Sequence, residues 1–435
     1  MSGGAAWTGV AVAAVTAGYA LVSKRLAVSA VTAAMVFTGC GVLIGPAGLD
    51  ILDLQRDAGP ILVLVEAALT LVLFTDAIEL RGRDLQRGRI LAARLVTIGL
   101  LLTIAGGWLL AWLLLPSLTL WEAALVAAIL APTEIAVCRA AVANRRVPAL
   151  VRHGLTVETG INDGLVLPFF LLFLAAVHGT TSSEQGLVGI FWRALVLSAA
   201  LGLAVGGGCG WLLHRARTAD WVGREWSQAM VLAVALASYA LAAAIGGSGF
   251  VSAWAAGFAF AAMLRRGRGK PLGGVSEGSH GAGVPVGFAE SIASLLAAIS
   301  FLVFGAVMLG PALQHLDWQV AVYAMLSVAV VRPVSAALAL MGSGLRLPTV
   351  AYTAWFGPRG LPSLVLGLLA AEEHVPGART LLQVVAVTVA LSVLLHGVSA
   401  VRLSELYAAW HEKAAKRDPR LREGPVHGSS ATGDG

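Results

Sequence analysis

The sequence predicts an all-α protein that crosses a lipid bilayer about thirteen times, and three observations carry that prediction. Hydrophobic residues make up 58% of the 435 positions and charged residues only 12%, with a mean hydropathy of +0.82. That balance excludes a soluble domain for the bulk of the chain. The apolar residues come in runs of about 20, the length that spans the hydrocarbon core as a helix. The basic residues gather in alternate loops, the pattern that orients membrane helices. In lipid every backbone N–H and C=O needs an internal partner, so such a chain is helical and the bilayer replaces a soluble core.

In order, the stretches that fit a span are residues 5–22, 28–45, 60–80, 90–115, 121–143, 150–177, 187–213, 226–245, 249–264, 288–310, 318–343, 347–370 and 380–401. Loops after odd-numbered spans carry Lys24 and Arg25, Arg81 to Arg89, Arg145, Arg146 and Arg152, Arg215 to Arg224, Arg265 to Lys270, and Arg346. Loops after even-numbered spans carry mainly Asp50, Asp53, Asp57, Glu184, Asp317, Glu372 and Glu373. With positive charge on the cytoplasmic side, the N-terminus is outside and the C-terminus inside the cell membrane. The first apolar run has no basic residue before it, so it reads as a membrane helix rather than a cleaved signal peptide.

Residues 1–405 thus form the membrane domain. Residues 265–287 are Gly-rich and polar and read as a cytoplasmic linker. Residues 406–435 turn charged and then small and polar, the composition of a disordered cytoplasmic tail. The net charge of +6 sits in the cytoplasmic loops and implies no nucleic-acid partner. Cys40, Cys138 and Cys209 are widely spaced in apolar sequence and read as small core residues.

Two spans are interrupted. Pro132 stands in the middle of 121–143 and Pro358 in the middle of 347–370. A proline inside a membrane helix frees backbone groups that neighbours or a bound ion must satisfy. Corresponding breaks in the two halves of a chain point to inverted six-helix repeats with a binding site at the midplane, and span seven is the natural joint. Carboxylates stand in the same apolar region, at Glu134, Glu158 and Asp163, and a carboxylate in lipid is costly enough to imply ion handling. On a helix, Glu158 and Asn162 are four apart and share a face, whereas Asp163 lies roughly 140° around from Glu158. By rise per residue, Thr133, Glu134, Asp163, Arg332 and the 357–359 break fall at similar depth.

The motifs LFTDAIELRGRDL, APTE, ETGINDG, the Arg-Pro at Arg332 and WFGPRGLPSL resemble, in order and spacing, those of the cation/proton antiporters, in the branch of the archaeal and animal sodium/proton exchangers. The resemblance spans nearly all of residues 1–405. It implies thirteen helices, crossed discontinuous helices in a mobile core domain, a separate dimerisation domain, and a homodimer. It also implies that Asp163 takes either cation or proton and that Asn162 is its neutral neighbour. Thr159 and Thr133 would contribute oxygens, and Glu158 would pair with Arg332. The family's usual Thr-Asp-Pro is here Thr133-Glu134-Ile135, with the proline displaced to Pro132. Glu134 is therefore open to three readings: ligand, titrating group, or cap of a half-helix. Asp76 and Arg359 are weaker candidates for the site, Asp76 being equally suited to an interfacial ion pair.

Physically, a lone midplane carboxylate resists crossing lipid while bare and crosses when neutralised, so proton and cation compete for it and their fluxes are coupled. With Glu158 cancelled by Arg332 and Asn162 neutral, one charge moves each way and the exchange is electroneutral. Oxygen ligands suit an alkali ion, sodium first, with potassium or lithium as alternatives. His153, His178, His315, His374 and His396 form no zinc-like pair and read as satisfied or solvated, with His153 a candidate cytoplasmic pH sensor. No cofactor is expected, and no hydrolase motif is present. A cation channel and a potassium/proton exchanger of the same fold are the alternatives.

Overall fold

The structure, a computed structural model, describes residues 3–26, 29–50, 58–80, 90–178, 186–266, 287–418, 421 and 423. Most of the linker expected over 265–287, the basic loop at Arg81 to Arg89, and the tail beyond 423 lie outside the described residues. Among those described, all regular structure is helical. The helices are α1 (Gly3–Leu26), α2 (Ala33–Ile44), α3 (Ala58–Glu79), α4 (Ile90–Leu114), α5 (Leu120–Ile129), α6 (Ala140–Ala143) and α7 (Ala149–Val177). They continue with α8 (Gly186–Thr218), α9 (Arg224–Ala244), α10 (Gly249–Arg266), α11 (Gly287–Gln314) and α12 (Trp318–Ala339). The last three are α13 (Leu347–Trp355), α14 (Leu361–Glu372) and α15 (Ala378–Arg417). Counting α5 with α6, and α13 with α14, as single interrupted spans, these stretches match the thirteen expected from sequence. Eight helices among the described residues are long and apolar enough to cross a membrane.

The chain divides into two compact units. One holds residues 1–58, 82–162 and 301–435, and with them both interrupted spans. The other holds residues 59–81 and 163–300. Its packing rests on close helix approach. A Cβ at Gly202, Gly206 or Gly210 of α8 would stand 2.2, 2.1 or 2.8 Å from the carbonyl oxygens of Ser252, Ala256 and Phe260 on α10, so a small residue every fourth position lets these helices touch backbone to backbone. Phe74 of α3 and Phe260 pack at 5.9 Å between ring centroids in the core of this unit.

In the first unit, α5 opens with a capping box, a pattern legible as Thr119-x-x-Glu122. The Thr119 N–H donates to Glu122 Oε2 at 2.7 Å and the Glu122 N–H to Thr119 Oγ1 at 3.4 Å. The second carboxylate oxygen accepts the Gly377 N–H at 2.6 Å, so a buried acid ties the start of α5 to the start of α15. In α12 the backbone widens into a π turn over Ser327–Val331, immediately before Arg332 and Pro333. Pro333 has no N–H to give the helical ladder, and the widened turn absorbs that loss.

One expectation is corrected at the C-terminus. Helix α15 runs on to Arg417, well past the residue 406 at which sequence composition placed a disordered tail. Residues 405–417 are rich in strong helix formers, and Tyr407, Ala408 and His411 are buried. Tyr407 stacks on Tyr352 of α13 at 4.3 Å between centroids. Glu412 pairs with Arg146 at 2.8 Å and Asp418 with Arg346 at 2.9 Å. Glu423 accepts the Arg346 N–H at 3.0 Å and the Thr349 hydroxyl at 2.8 Å, supplying from the tail the cap that α13 lacks locally.

Candidate functional site

Helix α5 stops at Ile129 because Pro132 removes a donor and forces Ala131 out of helical geometry. Residues 131–134 run extended before the short turn Ile135–Cys138. Helix α13 stops at Trp355, residues 356–360 are unwound around Pro358, and α14 begins at Leu361. The two breaks meet backbone to backbone, the Glu134 N–H donating to the Pro358 carbonyl at 2.8 Å.

Around that contact the orphaned backbone groups find protein partners. The Ala131 carbonyl accepts from Asn162 Nδ2 at 3.4 Å and from an Arg359 guanidinium N–H at 3.4 Å. The same Arg359 nitrogen reaches the Gly357 carbonyl at 3.4 Å. Asn162 Nδ2 also lies 3.5 Å from Thr133 Oγ1. Glu134 is buried, and its carboxylate accepts the Ala136 N–H at 3.3 Å. Of the three readings open for Glu134, this geometry is that of the cap on a half-helix. Gly360 is what lets the chain pass it, since a Cβ there would stand 2.4 Å from Glu134 Cγ.

Glu158 and Arg332 form a buried ion pair. Arg332 is pressed against the second break, where a Cβ on Gly357 would lie 2.2 Å from its Nε. Arg359 is 1% exposed and is the largest fully buried side chain among those described. Two buried guanidinium groups, of Arg332 and Arg359, and two buried carboxylates, of Glu134 and Glu158, therefore stand at or beside the breaks, an arrangement a membrane interior tolerates only where charge has a task or a partner.

Glu158 and Asn162 both make their contacts in the unit holding residues 82–162 and 301–435, and Asp163, the next residue along α7, is also buried. Thr159 and Thr133 are buried. Asn162 Oδ1 is buried with no hydrogen-bond partner, an oxygen of the kind an alkali cation takes. Among the sequence candidates, the structure thus brings Thr133, Glu134, Glu158, Asn162, Arg332 and Arg359 together. Asp76 is half-buried on α3, in the second unit.

Sequence reasoning did not single out Ser392 of α15, and read His396 only as satisfied or solvated; the structure satisfies it by hydrogen bonds. The Arg359 N–H donates to Ser392 Oγ at 2.7 Å, and His396 Nε2 lies 3.0 Å from the Trp355 carbonyl. Their signal was two polar residues four apart in the otherwise apolar run 380–401.

Interrupted helices meeting at buried charge define the class of protein: a secondary-transporter fold. The fold matches the solved structure of the sodium proton antiporter MjNhaP1 from Methanocaldococcus jannaschii at pH 8, with a TM-score of 0.76 at 19% identity, covering 93% of this chain and 98% of that one. A second MjNhaP1 structure, from an electron microscopy map, matches with a TM-score of 0.64 at 20% identity, covering 93% of this chain and 96% of that one. Residues 11–405 match the family described as sodium/hydrogen exchanger, transmembrane, and the chain belongs to that family of multi-pass membrane proteins. In sequence it is 26% identical over 264 residues to the K(+)/H(+) antiporter NhaP2 of Shewanella sp. strain MR-4, covering 60% of this chain and 44% of that protein. It is 28% identical over 161 residues to a Na(+)/H(+) antiporter of Saccharomyces cerevisiae, covering 35% of this chain and 16% of that protein. The chain thus spans under half the length of these curated relatives.

Proposed function

We propose that this protein is a secondary antiporter that exchanges a monovalent cation for a proton across the cell membrane by alternating access. Asp163 is the carboxylate that cation and proton occupy in turn. Asn162, Thr159 and Thr133 supply neutral oxygens, Glu134 holds the first break, and the Glu158–Arg332 pair is structural. The observation that carries the reading is the buried, partnerless Asn162 Oδ1 beside Thr133 and two unwound helix centres, with an acid as the next residue along α7. Pairing with Arg332 takes Glu158 out of the charge count, so one charge crosses each way and exchange is electroneutral. Relatives named for potassium/proton and for sodium/proton exchange support a monovalent cation as the cargo, with sodium as the first substrate and potassium or lithium as the others. The N-terminus lies outside and the C-terminus in the cytoplasm, following the basic loops, and the working form is a homodimer.

The test is antiport in everted vesicles carrying a preset pH gradient. Adding sodium, potassium or lithium in turn is expected to dissipate the gradient, and Asp163→Asn is expected to abolish the response. A gradient that none of the three cations touches refutes the reading, and so does full exchange by Asp163→Asn. Cation flux indifferent to the pH gradient would instead support a channel, and a cation-driven current in proteoliposomes would refute electroneutrality.

A further inference from the structure

We propose that Ser392 and His396 on α15 are positioning residues for the exchange, holding residues 356–360 unwound so that Arg359 stands against the first break. The inference rests on the functional reading above. A helix that stops inside the protein strands carbonyls at its C-terminal end and N–H groups at the start of its continuation, and in an apolar interior each needs a partner. Here the Trp355 carbonyl, at the end of α13, is held by His396 Nε2 at 3.0 Å. The Arg359 N–H, just before α14, is held by Ser392 Oγ at 2.7 Å. Ser392 and His396 are one turn apart on a single face of a continuous helix, so one rigid element grips the unwound segment at two points.

The pair is also braced. His396 Nδ1 lies 3.1 Å from Ser392 Oγ and 2.8 Å from the Ser392 carbonyl. Both ring nitrogens face a carbonyl oxygen, so a neutral imidazole donates to one of the two and an imidazolium to both. The Trp355 ring lies 5.2 Å from the imidazole, and its Nε1 donates to Ser399 Oγ at 3.0 Å, one turn further along α15. Ser392 and His396 are both buried, and each turns one polar atom to the break, Ser392 its Oγ and His396 its Nε2.

What they position is Arg359. Its Nε has no partner, and its guanidinium makes only long contacts, 3.4 Å to each of two carbonyls. The side chain does not anchor itself, so the pinned backbone N–H decides where the charge stands. Through the Ala131 carbonyl that charge bears on the segment carrying Thr133 and on the amide of Asn162. Release of the segment therefore reaches the oxygens assigned to the cation without removing any of them.

The experiment uses the full chain, purified and reconstituted, with NaCl and KCl as probes and apparent cation KM and maximal rate measured separately. Ser392→Ala and His396→Leu are expected to raise the apparent KM about fivefold, the effect of losing one hydrogen bond. His396→Gln, which keeps an N–H donor, is expected to return it to within about twofold of the parent. Combined with Arg359→Lys, Ser392→Ala is expected to add little further, because the two act through one group. An unchanged KM in Ser392→Ala and His396→Leu overturns the proposal, as does full additivity with Arg359→Lys. Ser392→Ala removes a single oxygen, so it decides the matter if His396→Leu fails to fold. Residual exchange by Asp163→Asn would count against the functional reading alone, because these KM shifts are measured with Asp163 intact.

Discussion

The Glu134 N–H and the Pro358 carbonyl, in two different interrupted spans, are joined by a 2.8 Å hydrogen bond. Each break exposes what the other lacks: the unwound residues 356–360 leave the Pro358 carbonyl without a helical partner in one, and the extended residue before a short turn presents an N–H in the other. A shift in either unwound segment must carry the other or leave both groups unpaired in an apolar interior. Arg359 doubles the tie through the Ala131 carbonyl. The breaks therefore form a single mechanical element.

Gly357→Ala tests how tightly that element is filled. The added Cβ would stand 2.2 Å from Arg332 Nε and 2.9 Å from Cζ, and the guanidinium cannot retreat without loosening its pair with Glu158. The expected cost is about 2–3 kcal/mol, seen as a clear loss of thermal stability in detergent together with loss of exchange. Gly208→Ala is the control, with open space where its Cβ would lie. It should change stability by no more than about 1 kcal/mol.

Removing one partner of the Glu158–Arg332 pair should hurt more than removing both. Arg332→Ala leaves a carboxylate buried without its counter-charge, at an expected cost of about 3–5 kcal/mol. Replacing both by leucine should recover most of the folded yield on size-exclusion chromatography. A double variant as unstable as the single one would mean that the pair supplies net stability and is more than mutual neutralisation.

The surface pair of Arg146 and Glu412 should not act as a pH sensor near neutrality. Hydrogen bonding from Arg146 holds the Glu412 carboxyl below its ordinary range. A depressed folded value means the pair's contribution is fully present above the ordinary carboxylate value of about 4.3 and is lost only as the pH falls through the lower folded one. Glu412→Gln should thus raise trypsin cleavage at Lys413 and Lys416 by the same factor at pH 6 and pH 8. A factor that changes between those two values would contradict this assignment. The effect itself should be small, since both side chains are largely exposed.

Much of this was legible in the chain because composition and local chemistry settle it. The spans follow from apolar runs, and the breaks at Pro132 and Pro358 follow from a ring that cannot donate. The capping box at Thr119 and Glu122 is a local pattern that was not read from the sequence, and its second task, holding the Gly377 N–H, joins residues 255 apart. The pairing of Glu158 with Arg332, 174 residues away, came from resemblance, since no spacing rule relates distant helices. Ser392 was passed over, and His396 read only as satisfied or solvated, because in sequence two polar residues in an apolar span look like tolerated exceptions. The extension of α15 was passed over because charge and polarity mark a solvated segment equally well whether it is coil or helix.

The sequence by itself determined that the protein lives in a bilayer, where its helices run, and which two of them must come apart, because those outcomes depend on hydrophobic run length and on proline. Only the tertiary structure decided which groups meet the stranded backbone at each break and that Glu134 caps one of them. It also decided that a distant helix grips the other. Hydrogen bonding across helices turns on differences of a few tenths of an ångström between residues from 31 to 228 positions apart, and no local pattern encodes those.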